Sequence, residues 1–249
     1  MKTFLKISTT ITFIAMVVVN SLANILPINN TTTGQVSDAY PNIFAPAGIT
    51  FSIWGLIYLL LAIYTIYQFT KNKEIFNKIN PYFLVSSLAN IAWIFAWHYQ
   101  LIPLSALLIV IILICLIKIA DIIKVNKLDS LDKKLIRLPF SIYFGWITVA
   151  VIANITVLLV SLNWNQFNLS EEFWTVTIII IATIIGITRM IKDQNIPYGL
   201  VFVWAYLGIF IKQSNSEYFY LIATTIFCIA IFLSAQTFLL LSNSKTKNK

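Results

Sequence analysis

The chain has 249 residues, 59% of them hydrophobic, 14% aromatic and only 10% charged, with a net charge of +8 and a mean hydropathy of +0.86. A soluble domain carries about 25% charged residues, so this composition excludes an ordinary soluble enzyme and a disordered chain; seven Gly, seven Pro and two Cys exclude collagen-like and disulfide-scaffold readings. At about 20 apolar residues per spanning helix the chain has room for seven or eight spans and no sizeable soluble domain, and the positive charge reads as membrane topology, not as a nucleic-acid surface.

The apolar runs predict spans over about Lys6 to Ile25, Ala47 to Phe69, Tyr82 to His98 and Ile102 to Ile122. Four more are predicted over about Leu138 to Val160, Phe173 to Met190, Tyr198 to Ile211 and Tyr218 to Leu241. Lys2, Lys6 and Ser21-Leu22-Ala23 also fit a secretory signal, whose removal would leave seven spans. The segment from Pro27 to Pro46 carries one charge, Asp38, and suits either a lid over the outer mouth of the bundle or a plain polar loop.

Sixteen of the 17 Lys and Arg residues fall in alternate non-membrane segments, from Lys2 at one terminus to Lys245, Lys247 and Lys249 at the other; Lys212 alone falls on the opposite side. With eight spans this bias puts both termini in the cytoplasm. All nine acidic residues lie in loops or at span ends, so the ionisable relay of a coupled transporter is not expected in mid-membrane. His98, the only histidine, reads as a solvated interfacial residue, and Cys115 and Cys228 as apolar filler; no metal-ligand cluster is visible. With no nucleophile-base set or phosphate loop either, the chain reads as a non-enzyme.

Residues at i, i+3, i+4 and i+7 share a helix face. Phe51, Trp54 and Tyr58 line up in the second span, Ser86, Asn90, Trp93 and Trp97 in the third, and Tyr143, Trp146, Ala150 and Asn154 in the fifth. An unpaired amide is costly in hydrocarbon, so Asn90 and Asn154 should point into the bundle. A cavity lined this way suits a planar hydrophobic ligand, although each residue taken alone is equally well explained as helix packing. Trp164 and Trp174 read as interfacial anchors, whereas Trp54, Trp93, Trp146 and Trp204 lie deeper. Pro139, Phe144 and Trp146 share their spacing with Pro197, Phe202 and Trp204, a weak repeat that would put Trp204 among the ligand-contacting groups.

Three stretches carry a family resemblance: FAPAGITFSIWGLIY from Phe44 to Tyr58, LANIAWIFAWHY from Leu88 to Tyr99, and RLPFSIYFGWITVAVIAN from Arg137 to Asn154 followed by Asn163-Trp164. Their order and spacing resemble the tryptophan-rich sensory protein family (TspO/MBR), over about residues 1–165. Ser52-Ile53 and Ala96-Trp97 depart from its pattern, and its sterol-type motif is absent after Asn154. The resemblance implies a five-helix membrane bundle that binds porphyrins and other flat hydrophobic molecules, and, because members tend to dimerise, a homodimer. It implies ligand stacking on Trp54, Trp93 and Trp146 with Phe51, Tyr58 and Tyr143 beside them, orientation by Asn90 and Asn154, and room beside Ala150.

The expectation is therefore an all-α membrane protein of about eight spans: a TspO-like five-helix unit (1–165) and a three-helix extension (166–249). It binds a flat hydrophobic ligand such as a porphyrin for sensing, sequestration or transport, with no required cofactor and no metal; its partners are that small molecule and the lipid bilayer, not nucleic acid. An uncoupled permease or exporter subunit and a structural subunit without ligand are the alternatives. Abundant Ile, Asn and Lys suggest an AT-rich genome and so a bacterial cytoplasmic (inner) membrane.

Overall fold

The computed structural model describes residues 2–26 and 28–247, and side chains for 3–26 and 28–242. Pro27, where the lid was expected to start, and Lys249 lie outside the described residues, as do the side chains of Lys2, Lys245 and Lys247. The described chain is helical: α1 (Lys2–Ile25), α2 (Thr33–Asp38), α3 (Ile53–Thr70), α4 (Glu74–His98), α5 (Ile102–Val125), α6 (Ser130–Asp132), α7 (Leu138–Ser161), α8 (Glu171–Asp193), α9 (Ile196–Gln213) and α10 (Phe219–Lys247). Among the described residues eight helical runs are long and apolar enough to cross a membrane, and each overlaps one of the eight spans read from the sequence.

The third span differs at its start. Helix α4 begins at Glu74, about two turns before Tyr82, and runs through Pro81. Proline breaks helices in water, but in a bundle neighbouring groups re-satisfy the freed backbone. Here the added turns bury Phe76, Ile79 and Asn80 against the bundle.

Helix α7 is the hub. It is apolar all round, every residue from Pro139 to Val149 is buried, and it packs on α3, α5 and α9. Lipid tails give little hydrophobic drive for helix association, so close approach of small residues sets such contacts. A Cβ at Gly145 would lie 2.8 Å from the Tyr198 carbonyl oxygen and 2.9 Å from Val201 Cβ; only glycine lets α9 pack this close to α7. Helix α10 then covers α8 and α9.

The two ends of the bundle are chemically distinct. At one end the basic residues meet acids from other segments: Lys73 pairs with Asp129 at 3.1 Å and Asp132 at 2.6 Å, Lys124 with Asp193 at 3.3 Å, and Arg189 with Asp121 at 2.7 Å. Hydrogen bonding to Asp132 raises the Lys73 pKa, and the Asp132 backbone N–H together with Lys73 holds the Asp129 carboxyl below its usual range. At the other end, Lys212 meets Asp38 at 3.4 Å. The lone basic residue set apart by the sequence and the only charge in the first loop thus share one end.

Candidate ligand-binding site

Beneath the segment between α1 and α3 lies a cavity of about 70 Å³. Its walls come from α3, α4, α5, α7 and α9, and its roof from the loop through Thr33, Ser37, Asn42 and Phe44. Seven of the nine residues expected in the site line it: Phe51, Trp54, Asn90, Trp93, Trp146, Ala150 and Asn154. Trp146 stands edge-on to Phe51 at 6.0 Å and to Trp54 at 6.3 Å between ring centroids, while Trp93 stacks on Trp97 at 5.4 Å.

Tyr58 and Tyr143 do not line this cavity. Tyr143 is fully buried behind Trp54, where it accepts a 3.5 Å hydrogen bond from Asn90. Tyr58 stacks on Trp54 at 5.5 Å and faces a second recess, of about 390 Å³, on the α1 side. Phe51, Trp54 and Trp93 border both spaces, so these rings form the partition between them.

The two amides are occupied by neighbouring helices. Asn90 accepts a 2.7 Å bond from Asn20 of α1 and reaches Tyr143 of α7; Asn154 exchanges bonds of 3.2 and 3.3 Å with Ser105 of α5. Both therefore fix helices at the cavity wall. The indole N–H groups of Trp93 and Trp146 differ: they are buried, with Trp93 8% and Trp146 3% exposed, and have no hydrogen-bond partner among the described residues. A buried donor left unpaired costs about 1–3 kcal/mol, so two of them on one cavity are a standing demand for an acceptor.

The loop is held down on both sides. Asn29 and Asn30 take left-handed backbone conformations (φ 54° and 58°), which asparagine tolerates better than most residues, and Asn29 donates to the His98 carbonyl at 3.0 Å. The Thr32–Gln35 capping box starts α2. The His98 ring bridges the Ile28 carbonyl (3.2 Å) and the Thr33 hydroxyl (3.0 Å), and Trp97 Nε1 donates to the Thr33 carbonyl at 3.1 Å. On the far side the Ile43 N–H donates to Glu171 at 2.9 Å, Gln213 donates to the Ile43 carbonyl at 3.1 Å, and the Ala47 N–H donates to the Gly208 carbonyl at 3.0 Å. His98 is thus no solvated interfacial residue. It is fully buried, because the loop folds back over the end of α4 and supplies partners for both ring nitrogens.

The sequence reading missed the contribution of α9. Ala205 and Ile209 complete the cavity wall, whereas Trp204 points away, 37% exposed, with its indole N–H donating to the Thr50 carbonyl at 2.9 Å. Trp204, which the repeat would put among the ligand-contacting groups, does not line this cavity; the next residue, Ala205, does. Trp164 and Trp174 lie together, 5.0 Å apart, and line a separate recess beyond the cavity. No group of three or more His, Cys, Asp or Glu side chains gathers among the described residues.

The sequence model of the family described as TSPO-like protein matches residues 6–240 of this chain. The match continues past residue 165 through the three C-terminal spans. No curated protein and no solved structure matches the chain.

Proposed function

Since the chain is an integral membrane protein that belongs to the TSPO-like protein family, we propose that it binds a flat, hydrophobic molecule bearing hydrogen-bond acceptors, of which a porphyrin is the leading example, for sensing, sequestration or transport. The observation that carries this reading is the pair of buried, unpartnered indole N–H groups of Trp93 and Trp146 on one aromatic cavity. Rings offer stacking area to a planar ligand, and the two donors offer polar contacts that lipid tails cannot use.

Size sets the manner of binding. At about 10–15 Å³ per water-sized sphere, 70 Å³ holds only a handful of such spheres. A macrocycle therefore requires the partition of Phe51, Trp54 and Trp93 to part, joining the cavity to the recess beside Tyr58. Loop closure over the top and hydrocarbon on the flanks would keep such a ligand from water.

Titration of the purified, detergent-solubilised protein with protoporphyrin tests this reading. A saturable shift of the porphyrin absorption band is the expected result. A shift that stays proportional to detergent concentration and independent of protein would reject it.

A further inference from the structure

At the basic end a polar recess of about 110 Å³ lies between the end of α5, the turn before α7 and the α8–α9 junction. Lys124, Lys133 and Arg137 line it, with Asp193 as the only acid. We propose that this recess is a binding site for a phosphate group, carried by an anionic lipid headgroup or by a soluble phosphate.

The charges do not cancel within the protein. Asp193 is taken by Arg189 and by Lys124, and Arg189 also holds Asp121. Neither Lys133 nor Arg137 has a carboxylate within 4.0 Å among the described residues. Arg137 uses one terminal nitrogen, Nη2, to donate to the Asp193 and Gln194 carbonyl oxygens at 2.6 and 2.7 Å, which ends α8. That fixes the guanidinium and leaves its other nitrogens without a hydrogen bond among the described residues, and Lys133 lines the same recess. A fork of guanidinium donors next to a second cation is the donor set that suits phosphate oxygens.

Position favours the lipid source. Helix α5 ends at Val125 and α7 begins at Leu138, so the recess sits where the spans leave the hydrocarbon. Ile123 and Phe140 give it an apolar floor, and Val125 and Leu131, close in the chain to the lining residues Lys124 and Lys133, are 80% and 47% exposed. A headgroup phosphate among the cations would leave its acyl chains beside that apolar rim.

Native mass spectrometry of the full chain, with phosphatidylglycerol, phosphatidylcholine or inorganic phosphate as the probe, tests the site. Phosphatidylglycerol should be retained saturably and in preference to phosphatidylcholine, and Lys133→Gln should lower that retention about fivefold, the weight of one interfacial cation. Because Lys133 holds no other residue by an ion pair, this variant should keep the parent melting temperature; Lys133→Gln/Arg137→Gln should weaken retention further. Phosphatidylglycerol that inorganic phosphate cannot displace identifies the headgroup as the source. Inorganic phosphate binding that is itself sensitive to Lys133→Gln, without lipid preference, identifies a soluble phosphate. Equal retention of both lipids with no phosphate binding, or retention that Lys133→Gln leaves unchanged, overturns the proposal.

Discussion

The same helices bury polar groups at both ends of the bundle, but use them differently. Toward the basic end, Tyr64 donates to Asn80 at 2.7 Å, Asn80 donates to Gln68 at 2.7 Å, and Gln68 donates to Thr10 at 3.2 Å. Tyr64 also packs against Phe76, Phe83 and Phe140, with the nearest ring 4.7 Å away. That network ties α1, α3 and α4 together, and none of its members lines the cavity beneath the loop. Beneath the loop, the amides are likewise paired, but the aromatic donors of Trp93 and Trp146 are not, and a cavity lies against them. Paired polar groups in a membrane core hold helices together; unpaired ones beside space are available to a ligand.

The comparison is broken most forcefully at its satisfied end. Asn80→Leu strands the Tyr64 hydroxyl and the Gln68 amide oxygen, and should cost about 2–6 kcal/mol at about 1–3 kcal/mol per stranded group, read as a lower thermal midpoint in detergent. Porphyrin affinity of the folded fraction should not change. A loss of affinity without loss of stability would mean that the two ends are not separate. At the cavity, Ala150→Leu fills space that the ligand needs. It should weaken binding about tenfold, equivalent to about 1.4 kcal/mol, while stability stays level; an unaltered affinity would place the ligand elsewhere.

The smallest effect belongs to a charged latch, the contact of Lys73 with Asp129 and Asp132. Asp129 has its pKa depressed in the fold, so its contribution is present above its unfolded value of about 3.9 and is lost as pH falls through the lower folded value. Lys73 has its pKa raised, so its contribution is complete below about 10.4 and is lost only as pH rises past the still higher folded value. The latch should therefore be indifferent to pH between these limits. Acidification from pH 6 to pH 3 should lower the melting temperature less in Asp129→Asn than in the parent, and equal slopes would show that the latch carries no acid sensitivity.

Much of this fold is legible in the residues. Hydropathy locates all eight spans, because hydrocarbon thickness dictates their length. The stripe from Asn90 to Trp97 and that from Trp146 to Asn154 do face one cavity, because helical periodicity survives in any packing. What composition and period cannot convey is which helix lies opposite. Ala205 and Ile209 carry no polar or aromatic signal, and they reach the cavity only because Gly145 admits α9. His98 looks interfacial by position and is buried only because a loop about 70 residues earlier in the chain returns to it, as its bonds to Ile28 and Thr33 show. Pro81 reads as a helix start by local rules, yet the bundle carries α4 through it.

The central claim is that the unpartnered indole donors face a ligand, and the most direct measurement is saturable quenching of tryptophan fluorescence by protoporphyrin in three proteins: the parent, Trp146→Phe and Trp174→Phe. Trp174 donates to the Gln166 carbonyl at 2.7 Å and lies outside the cavity, whereas Trp146 has an N–H with no partner to lose. The account predicts that Trp146→Phe keeps its thermal stability and binds about threefold to tenfold more weakly, the weight of one hydrogen bond of about 0.5–1.5 kcal/mol, while Trp174→Phe binds like the parent. Equal affinities in all three proteins, or quenching that never saturates, would contradict it.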